Sequence, residues 1–287
     1  MGDQIETHRV QMYRDGIDLL AQQTMSRFRG KTRFEGGLKG KIDFFDQAGQ
    51  TSMVLKTARH APTDPVEAEM NRRRIVHDMY TTAHYVARDD IQDVMNDPTG
   101  TIGRMQAAAM ARRTDQTVAD AAFVTAYTGE TGSTTVSHPS THEVAAGAAG
   151  LTTTKIISAK RILDEYENDS RARYAMCTAE QLTTDLLANA NYATSGDYNT
   201  VRALVNGEIN TWVGFEFDRF EGLPKSGNDR SCCFWSRDSI VLAVRDVYTR
   251  VSELPEQHYD WQVYTSFEVG ATRGDELGVV EVICTEA

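Results

Sequence analysis

The first 70 residues constrain the fold most, because they do not read as a self-contained globular segment. Residues 6–29 repeat apolar side chains at spacings of three and four, which predicts one amphipathic helix. The apolar stripe of this predicted arm contains Val10, Tyr13, Ile17, Leu20 and Phe28. Extended sequence punctuated by glycines then runs from Gly30 to Pro65 and predicts a projecting hairpin. If the rest of the chain does not cover this apolar and strand-edge surface, another copy of the chain must.

The predicted hairpin carries its own apolar side chains. An isolated two-stranded hairpin is only marginally stable in water, so a projecting one is expected to dock on a partner. The hairpin residues that we expect to contact a neighbouring subunit are Ile42, Phe44, Phe45, Met53 and Leu55. The leading segment therefore indicates assembly rather than chemistry.

Charge and hydrophobicity exclude several classes of protein. The net charge of −11 argues against nucleic-acid binding over the whole surface, because Lys and Arg supply most phosphate affinity. Local basic clusters at 27–33 and 72–74 are expected to face solvent or other subunits. No stretch approaches the roughly 20 apolar residues that span a bilayer, and no secretion signal is recognisable at the start. We therefore expect a protein made in a cytosol-like compartment without a membrane partner.

The cysteines indicate packing rather than chemistry. They lack the spacing of a zinc site or of a disulfide framework and lie beside apolar residues, so buried free thiols are expected. These residues are Cys177, Cys232, Cys233 and Cys284.

Catalytic and metal-binding motifs are not recognisable. His138 and His142 could share a metal ion only on a helix, which Pro139 disfavours. No nucleophile, base and orienting residue converge in the sequence. We therefore expect no catalytic, cofactor or metal site.

Beyond the hairpin, helices and strands alternate without a regular βαβ rhythm, so the predicted class is α+β. The longest helical signal runs from about 98 to 127 and is rich in Ala and Met. Residues 71–87 are predicted to be extended, with a helix as the alternative for their first half. The other predicted elements are a loop at 128–150, helices at 152–166, 179–189, 195–206 and 238–245, and strands at 172–177, 211–218 and 232–235. Two final strands, 261–269 and 279–284, are predicted to form a hairpin with a long loop.

The order of these elements resembles that of tailed-bacteriophage major capsid proteins of the Hong Kong 97-like fold, in the short form without an inserted domain. Residues 111–121 resemble the spine helix of that family, and residues 150–164 resemble the helix that opens its axial domain. Further similar stretches are residues 179–187, 195–209, 214–217 and 269–276.

The resemblance implies a domain organisation. Residues 1–30 would be an N-terminal arm, and residues 31–71 an extended loop lying over a neighbouring subunit. The peripheral domain would comprise 72–150 and 251–287, with the spine helix at about 98–127. The axial domain would comprise 151–250.

The resemblance also implies a function. The chain is expected to assemble with itself into hexamers and pentamers of an icosahedral head shell. That shell would enclose double-stranded DNA without sequence-specific binding, with a portal and a separate scaffold protein as partners. The protein would reside in the virion after assembly in the bacterial cytoplasm. Two alternatives stay open: an encapsulin-like nanocompartment shell, and a small soluble enzyme with scattered carboxylates.

Overall fold

The computed structural model describes residues 22–36, 40–59, 62, 65–86, 98–166, 172–186 and 210–286. The chain divides into two units. The smaller unit comprises the described residues of Met1–Ser26, Met79–Arg113 and Asp246–Glu268. The larger unit comprises those of Arg27–Asp78, Thr114–Arg245 and Val269–Ala287.

Strands dominate the described residues. In chain order they are β1 (Arg33–Glu35), β2 (Ile42–Ala48), β3 (Met70–Val76), β4 (Asp78–Val86), β5 (Ala126–Thr128), β6 (Thr134–Val136), β7 (Glu143–Val144), β8 (Arg173–Cys177), β9 (Thr211–Trp212), β10 (Phe215–Arg219), β11 (Lys225–Ser226), β12 (Asp229–Ser236), β13 (Ile240–Leu254), β14 (Asp260–Arg273) and β15 (Val279–Thr285). The extended sequence predicted at 71–87 is thus confirmed as β3 and β4. The loop predicted at 128–150 also contains the short strands β6 and β7.

Two α-helices were predicted from their start signals. Helix α1 (Pro98–Phe123) begins at a proline, whose missing N–H suits the first turn. Helix α2 (Thr153–Glu165) begins after Thr152, whose side chain accepts the backbone N–H of Lys155 at 3.4 Å. Among the residues described, no helix combines the length and the apolar character that crossing a membrane requires.

The larger unit is built on a seven-stranded sheet in the order β7-β15-β12-β8-β10-β9, with β11 paired to β12. The middle strands are buried on both faces, as an almost unbroken apolar run requires. Trp235 is fully buried, and the rings of Phe215 and Phe234 meet edge to face with centroids 5.0 Å apart. This sheet is the main core of the unit.

A second sheet of the larger unit, in the order β2-β3-β5-β6, carries the hairpin region. Strand β2 pairs with β3 antiparallel from Ile42↔Val76 to Ala48↔Met70. The first residues of β13 pair with β1 in the same unit, beginning at Arg33↔Val241.

A fully buried arginine connects three segments of the larger unit. Arg273 donates to the carbonyl oxygens of Ala122 (2.9 Å), Val124 (3.2 Å) and Val136 (3.1 Å). The first two carbonyls lie at and just beyond the C-terminal end of α1, where free acceptors and the helix dipole favour a cation. Burial lowers the pKa of this guanidinium, although Glu276 nearby opposes the change.

The smaller unit contains a buried polar network on α1. Gln106 donates to His84 Nδ1 (3.1 Å) and to the Val263 carbonyl (2.9 Å), and it accepts from Thr265 Oγ1 (2.7 Å). Because every polar atom of the amide has a partner, its burial costs little. The network holds the helix to strands β4 and β14.

The described end of the predicted arm is not helical. Residues 22–30 form bends and turns rather than the last part of a helix over 6–29. The carboxylate of Asp115 accepts the backbone N–H of Arg27 (3.0 Å) and of Phe28 (3.3 Å), so distant groups replace helical partners. Residues 6–21 of the predicted helix lie outside the described residues.

Two predicted elements between residues 211 and 245 are wrong. Residues 238–245 form a short 3-10 turn followed by strand β13, not a helix, because Val241 to Ala243 pair with β1. Val213 and Gly214 have φ of 53° and 84° and make a tight turn between β9 and β10, so 211–218 is a hairpin and not one strand.

The final two strands do not form a hairpin with each other. Strand β14 pairs with β13 and β4, whereas β15 pairs with β12 and β7. Of the two central helices predicted after β8, the first is a wide turn at Gln181–Leu186, and residues 195–206 lie outside the described residues. The strands predicted at 172–177 and 232–235 are confirmed as β8 and β12.

Acid is expected to weaken the larger unit through Glu286. Its buried carboxylate receives Thr178 Oγ1 (2.9 Å), Arg230 Nε (2.9 Å) and Lys225 Nζ (3.1 Å). Burial raises the pKa of this carboxyl, but the hydrogen bonds from Lys225, Thr178 and Arg230 outweigh that effect and lower it below the usual 4.5. The stabilisation is therefore present above about pH 4.5 and is lost as the pH falls through the lower folded pKa.

The Glu286→Gln variant tests this assignment. At pH 7 we expect it to be about 2 kcal/mol less stable than the parent, because charge-assisted hydrogen bonds are lost. Urea unfolding at pH 7 and at pH 3 measures the difference, which should shrink in acid. A difference that stays constant with pH would contradict a titrating role for Glu286.

Candidate subunit interface

The hairpin formed by β2 and β3 has two different faces, because successive side chains of a strand point to opposite sides. On β2, Asp43, Phe45 and Gln47 are half-buried, whereas Ile42, Phe44 and Asp46 are exposed. We call this antiparallel pair the ribbon, and residues 49–69, which join its strands, the connecting segment. The inward face contacts other residues of its own chain, whereas the outward face is exposed.

The inward face anchors the ribbon to its own chain. Phe45 packs against the buried cluster of Ile75, Val241 and Ala243, and the Arg33 guanidinium lies 5.5 Å from its ring centroid. At either side of Phe45, Gln47 donates to the Gly274 carbonyl at 2.6 Å, and Asp43 contacts His77 Nε2 at 2.8 Å. These contacts hold the base of the ribbon without help from another subunit.

An ion-pair cluster reinforces the same base. Arg73 of β3 is buried and contacts the Glu276 carboxylate, and its Nε donates to Gln47 at 3.1 Å. Arg273 Nε lies 4.0 Å from the same carboxylate. Buried pairs of this kind are costly to break from one side, because the partner keeps an uncompensated charge. The ribbon therefore leaves the body of the larger unit at a defined place.

The outward face and the connecting segment expose apolar side chains. Ile42 and Phe44 are 46% and 39% exposed. In the connecting segment Met53 is fully exposed, Leu55 is 84% exposed and Val54 between them is 64% exposed. Residues 49–59 have no regular strand partner. A contiguous apolar group of this kind, carried on an anchored stem, is typical of a protein–protein contact surface.

Phe28 corrects the predicted interface. Its side chain is fully buried in its own subunit, with its ring edge to face against Phe220 (5.3 Å) and Trp235 (6.0 Å). The prediction that Phe28 contacts a neighbour is therefore wrong, because the side chain has no surface to offer. Phe45 is also misassigned, since it belongs to the inward face.

Four of the other predicted interface residues are exposed, and four lie outside the described residues. Ile42, Phe44, Met53 and Leu55 are exposed as an interface requires, and their contact with a neighbour stays a prediction. Val10, Tyr13, Ile17 and Leu20 lie outside the described residues.

The sequence analysis missed a second exposed apolar group, in the smaller unit. These side chains lie on the distal part of β13, with Val247 and Val251 on one face of the strand and Tyr248 on the other, and in the turn before β14, at Tyr259. The rings of Tyr248 and Tyr264 contact each other at 6.4 Å. The run of β-branched and aromatic residues after Ile240 was the available signal. Because residues 238–245 were predicted to be a helix, the long strand β13 and its exposed side chains were not predicted.

The described residues hold no group of three His, Cys, Asp or Glu side chains arranged to bind a metal ion. His138 Nε2 lies 3.2 Å from the Val279 carbonyl, and burial lowers the pKa of its ring. The turn at Ser140–His142 is a single 3-10 turn, so the helical i, i+4 arrangement with His142 does not form.

A shallow depression of the larger unit is lined by charged residues but has no catalytic arrangement. Arg29, Arg33, Arg237 and Asp238 line it together with Thr32. The Thr32 hydroxyl donates to the Phe28 carbonyl at 3.1 Å, so it is used within the chain. The lining contains no nucleophile beside a base.

Comparison with known proteins gives a consistent result. A family model described as phage capsid protein matches residues 5–286. No curated protein matches the chain by sequence. Among solved structures, the capsid of cyanophage P-SCSP1u is similar, with a TM-score of 0.71 at 14% identity over 100% of this chain and 96% of that one.

Two further structures agree. The capsid of Ralstonia phage GP4 has a TM-score of 0.69 at 10% identity, covering 98% of this chain and 96% of that one. A structure from Mycobacterium phage Che8 has a TM-score of 0.64 at 15% identity, covering 95% and 96%. At these identities the likeness shows the fold.

Proposed function

The chain belongs to the phage capsid protein family, and from that membership we propose that it is the major capsid protein of a tailed bacteriophage, which assembles with itself into hexamers and pentamers. Its fold is the Hong Kong 97-like capsid fold expected from the sequence. The family is one of phage shells, which favours a phage head over an encapsulin-like compartment.

The observation that carries the proposal is the exposure of Met53 and Leu55 on an anchored ribbon. Burial of each side chain would contribute about 1.5–3 kcal/mol of favourable free energy, which is absent while the side chain is in water. A second copy that covers them recovers this energy, and the same contact repeats around a closed ring. Many modest contacts of this kind add up to a stable shell.

Charge supports the enclosure of DNA without sequence-specific binding. The net charge of −11 limits adhesion of the protein to a packed genome. Binding energy for DNA comes mainly from basic groups, and here they are outnumbered by 41 acidic residues to 30. The proposal also includes what the family fold implies for location and partners. The protein would assemble in the bacterial cytoplasm with a portal and a separate scaffold protein, and it would then reside in the virion.

The two exposed apolar groups and the arm supply three candidate contacts. We assign the connecting segment to a contact with an adjacent subunit, as the extended loop of the family fold implies. The face of β13 that exposes Val247 and Val251 is a second candidate contact surface. The stripe of Val10, Tyr13, Ile17 and Leu20 is the third.

Assembly of the full chain tests the proposed function. Purified protein, alone and after co-expression with the other head proteins of its phage, is analysed by sedimentation velocity and negative-stain electron microscopy. We expect rings or closed particles in at least one preparation. Single subunits or dimers in both preparations, at high protein concentration, would contradict the proposal.

A further inference from the structure

All four cysteines lie on three adjacent strands of the seven-stranded sheet. Strand β12 is flanked by β8 on one side and β15 on the other. In the antiparallel pair of β8 and β12, Cys233 is opposite Met176 and Phe234 is opposite Ala175. Continuing this register by one step places Cys232 directly opposite Cys177. Directly opposite residues of antiparallel strands have Cα atoms about 4.5–5.5 Å apart, which lies within the range that a disulfide bridges.

The side chains face each other as the register requires. Cys177 and Cys232 lie on the same face of the sheet, as directly opposite positions must, and both are fully buried. Both are free thiols.

The neighbouring cysteines are placed differently. Cys284 of β15 is opposite Arg230, whereas Cys232 is opposite Val282, so Cys284 is a diagonal neighbour of Cys232. Diagonal positions are about 7–8 Å apart between Cα atoms, which a disulfide spans only with backbone movement. The Cys232 thiol is nevertheless near enough to raise the pKa of the Cys284 thiol, so Cys284 is the competing partner that the experiment must separate. Cys233 follows Cys232 in the strand and therefore points to the opposite face.

We propose that Cys177 and Cys232 form a latent cross-strand disulfide, a covalent link between β8 and β12 that an oxidant can close. One Sγ–Sγ bond forms and two S–H bonds break, while two protons and two electrons pass to the oxidant. A small-molecule disulfide can be the oxidant and is itself reduced to two thiols. An azo compound can also be the oxidant and is reduced to a hydrazine. The link joins two cysteines that have 54 residues between them in the sequence.

The surroundings keep the pair reduced until the sheet opens locally. Burial raises the pKa of the Cys232 thiol, and that thiol donates to Gln181 Oε1 at 2.8 Å. The reactive thiolate is therefore scarce. A reducing cytoplasm leaves the pair open, and an oxidising medium outside the cell closes it slowly.

Oxidation of the full-length protein with the azo compound diamide tests the link. The protein is incubated in urea below its unfolding midpoint, so that local opening admits the reagent, and is then digested without reduction. We expect a loss of about 2 Da and a peptide pair joining Cys177 to Cys232. The closed form should unfold about 5 °C higher than the reduced form, because the link restricts the unfolded chain.

Matched variants identify the partners. Cys233→Ser changes the adjacent cysteine on the other face and should keep the mass loss and the peptide pair, as should Cys284→Ala. Cys232→Ala and Cys177→Ala should each abolish both. Absence of the Cys177–Cys232 peptide in the parent protein, or persistence of the 2 Da mass loss in Cys232→Ala, would overturn the proposal. A main product that joins Cys232 to Cys284 would overturn it as well.

Discussion

Replacing Met53 and Leu55 together by aspartate is expected to abolish closed particles while the subunit still folds. Neither side chain has a substantial contact within its own chain, since they are 102% and 84% exposed. Their removal therefore costs the isolated subunit little. In a shell, by contrast, the variant loses the burial of two large apolar side chains and places two unpaired carboxylates in the contact, which is costly. The loss is repeated at every copy.

A control that adds a carboxylate without removing apolar surface separates these effects. Ser52 is exposed in the same connecting segment, so Ser52→Asp adds a carboxylate without removing apolar surface. We expect Ser52→Asp to assemble and the double variant to stay as small species in sedimentation velocity. Circular dichroism and urea unfolding should give the same subunit stability for all three proteins. Normal shells from the double variant would exclude the connecting segment as an essential contact.

The second large effect is expected at Phe28, and it concerns the subunit itself. Phe28→Ala should lower the free energy of unfolding by about 3–5 kcal/mol, because it removes a fully buried ring and leaves a cavity. The lost contacts are those with Phe220 and Trp235. Urea unfolding of the unassembled protein measures the change.

Substitutions in the predicted arm are expected to affect assembly, whereas Phe28→Ala is expected to affect subunit stability. Ile17→Asp with Leu20→Asp should leave the unfolding free energy of the subunit unchanged and reduce assembly instead. If Phe28→Ala left the subunit as stable as the parent, the assignment of Phe28 to the core would be wrong. If the arm variant destabilised the unassembled subunit, the stripe would be part of its own fold.

The elements with local signals could be predicted from the sequence. Helix α1 begins at a proline, and α2 begins after a capping threonine, so both starts are encoded within a few residues. Strand β14 alternates from Trp261 onward. The order of such elements was sufficient to indicate the Hong Kong 97-like fold, which the family and the solved structures confirm.

Pairing and long-range contacts could not be predicted. β14 and β15 are neighbours in sequence, yet they join different sheets, because β12 offers β15 a buried edge. The start of β13 is continuously apolar, and such a run does not distinguish a buried strand from a helix. Phe28 lies at the expected helical spacing, but the Asp115 carboxylate and two aromatic rings hold it in the core.

At the candidate interface, too, some features could be predicted from the local sequence and others could not. Exposure of Met53 and Leu55 followed from a glycine-punctuated segment with no predicted partner. Phe44 and Phe45 are adjacent and were both predicted to be outside, although a period of two sends only one of them outward. The group around Tyr248 was missed because β13 was not recognised as a long strand.

The central claim is that the connecting segment of the ribbon is covered by a second copy of the chain. A cryo-EM reconstruction of the assembled particle, at a resolution that shows side chains, tests this most directly. The account predicts density from an adjacent subunit in contact with Met53 and Leu55. A closed particle in which both side chains face solvent, or contact only their own subunit, would contradict it.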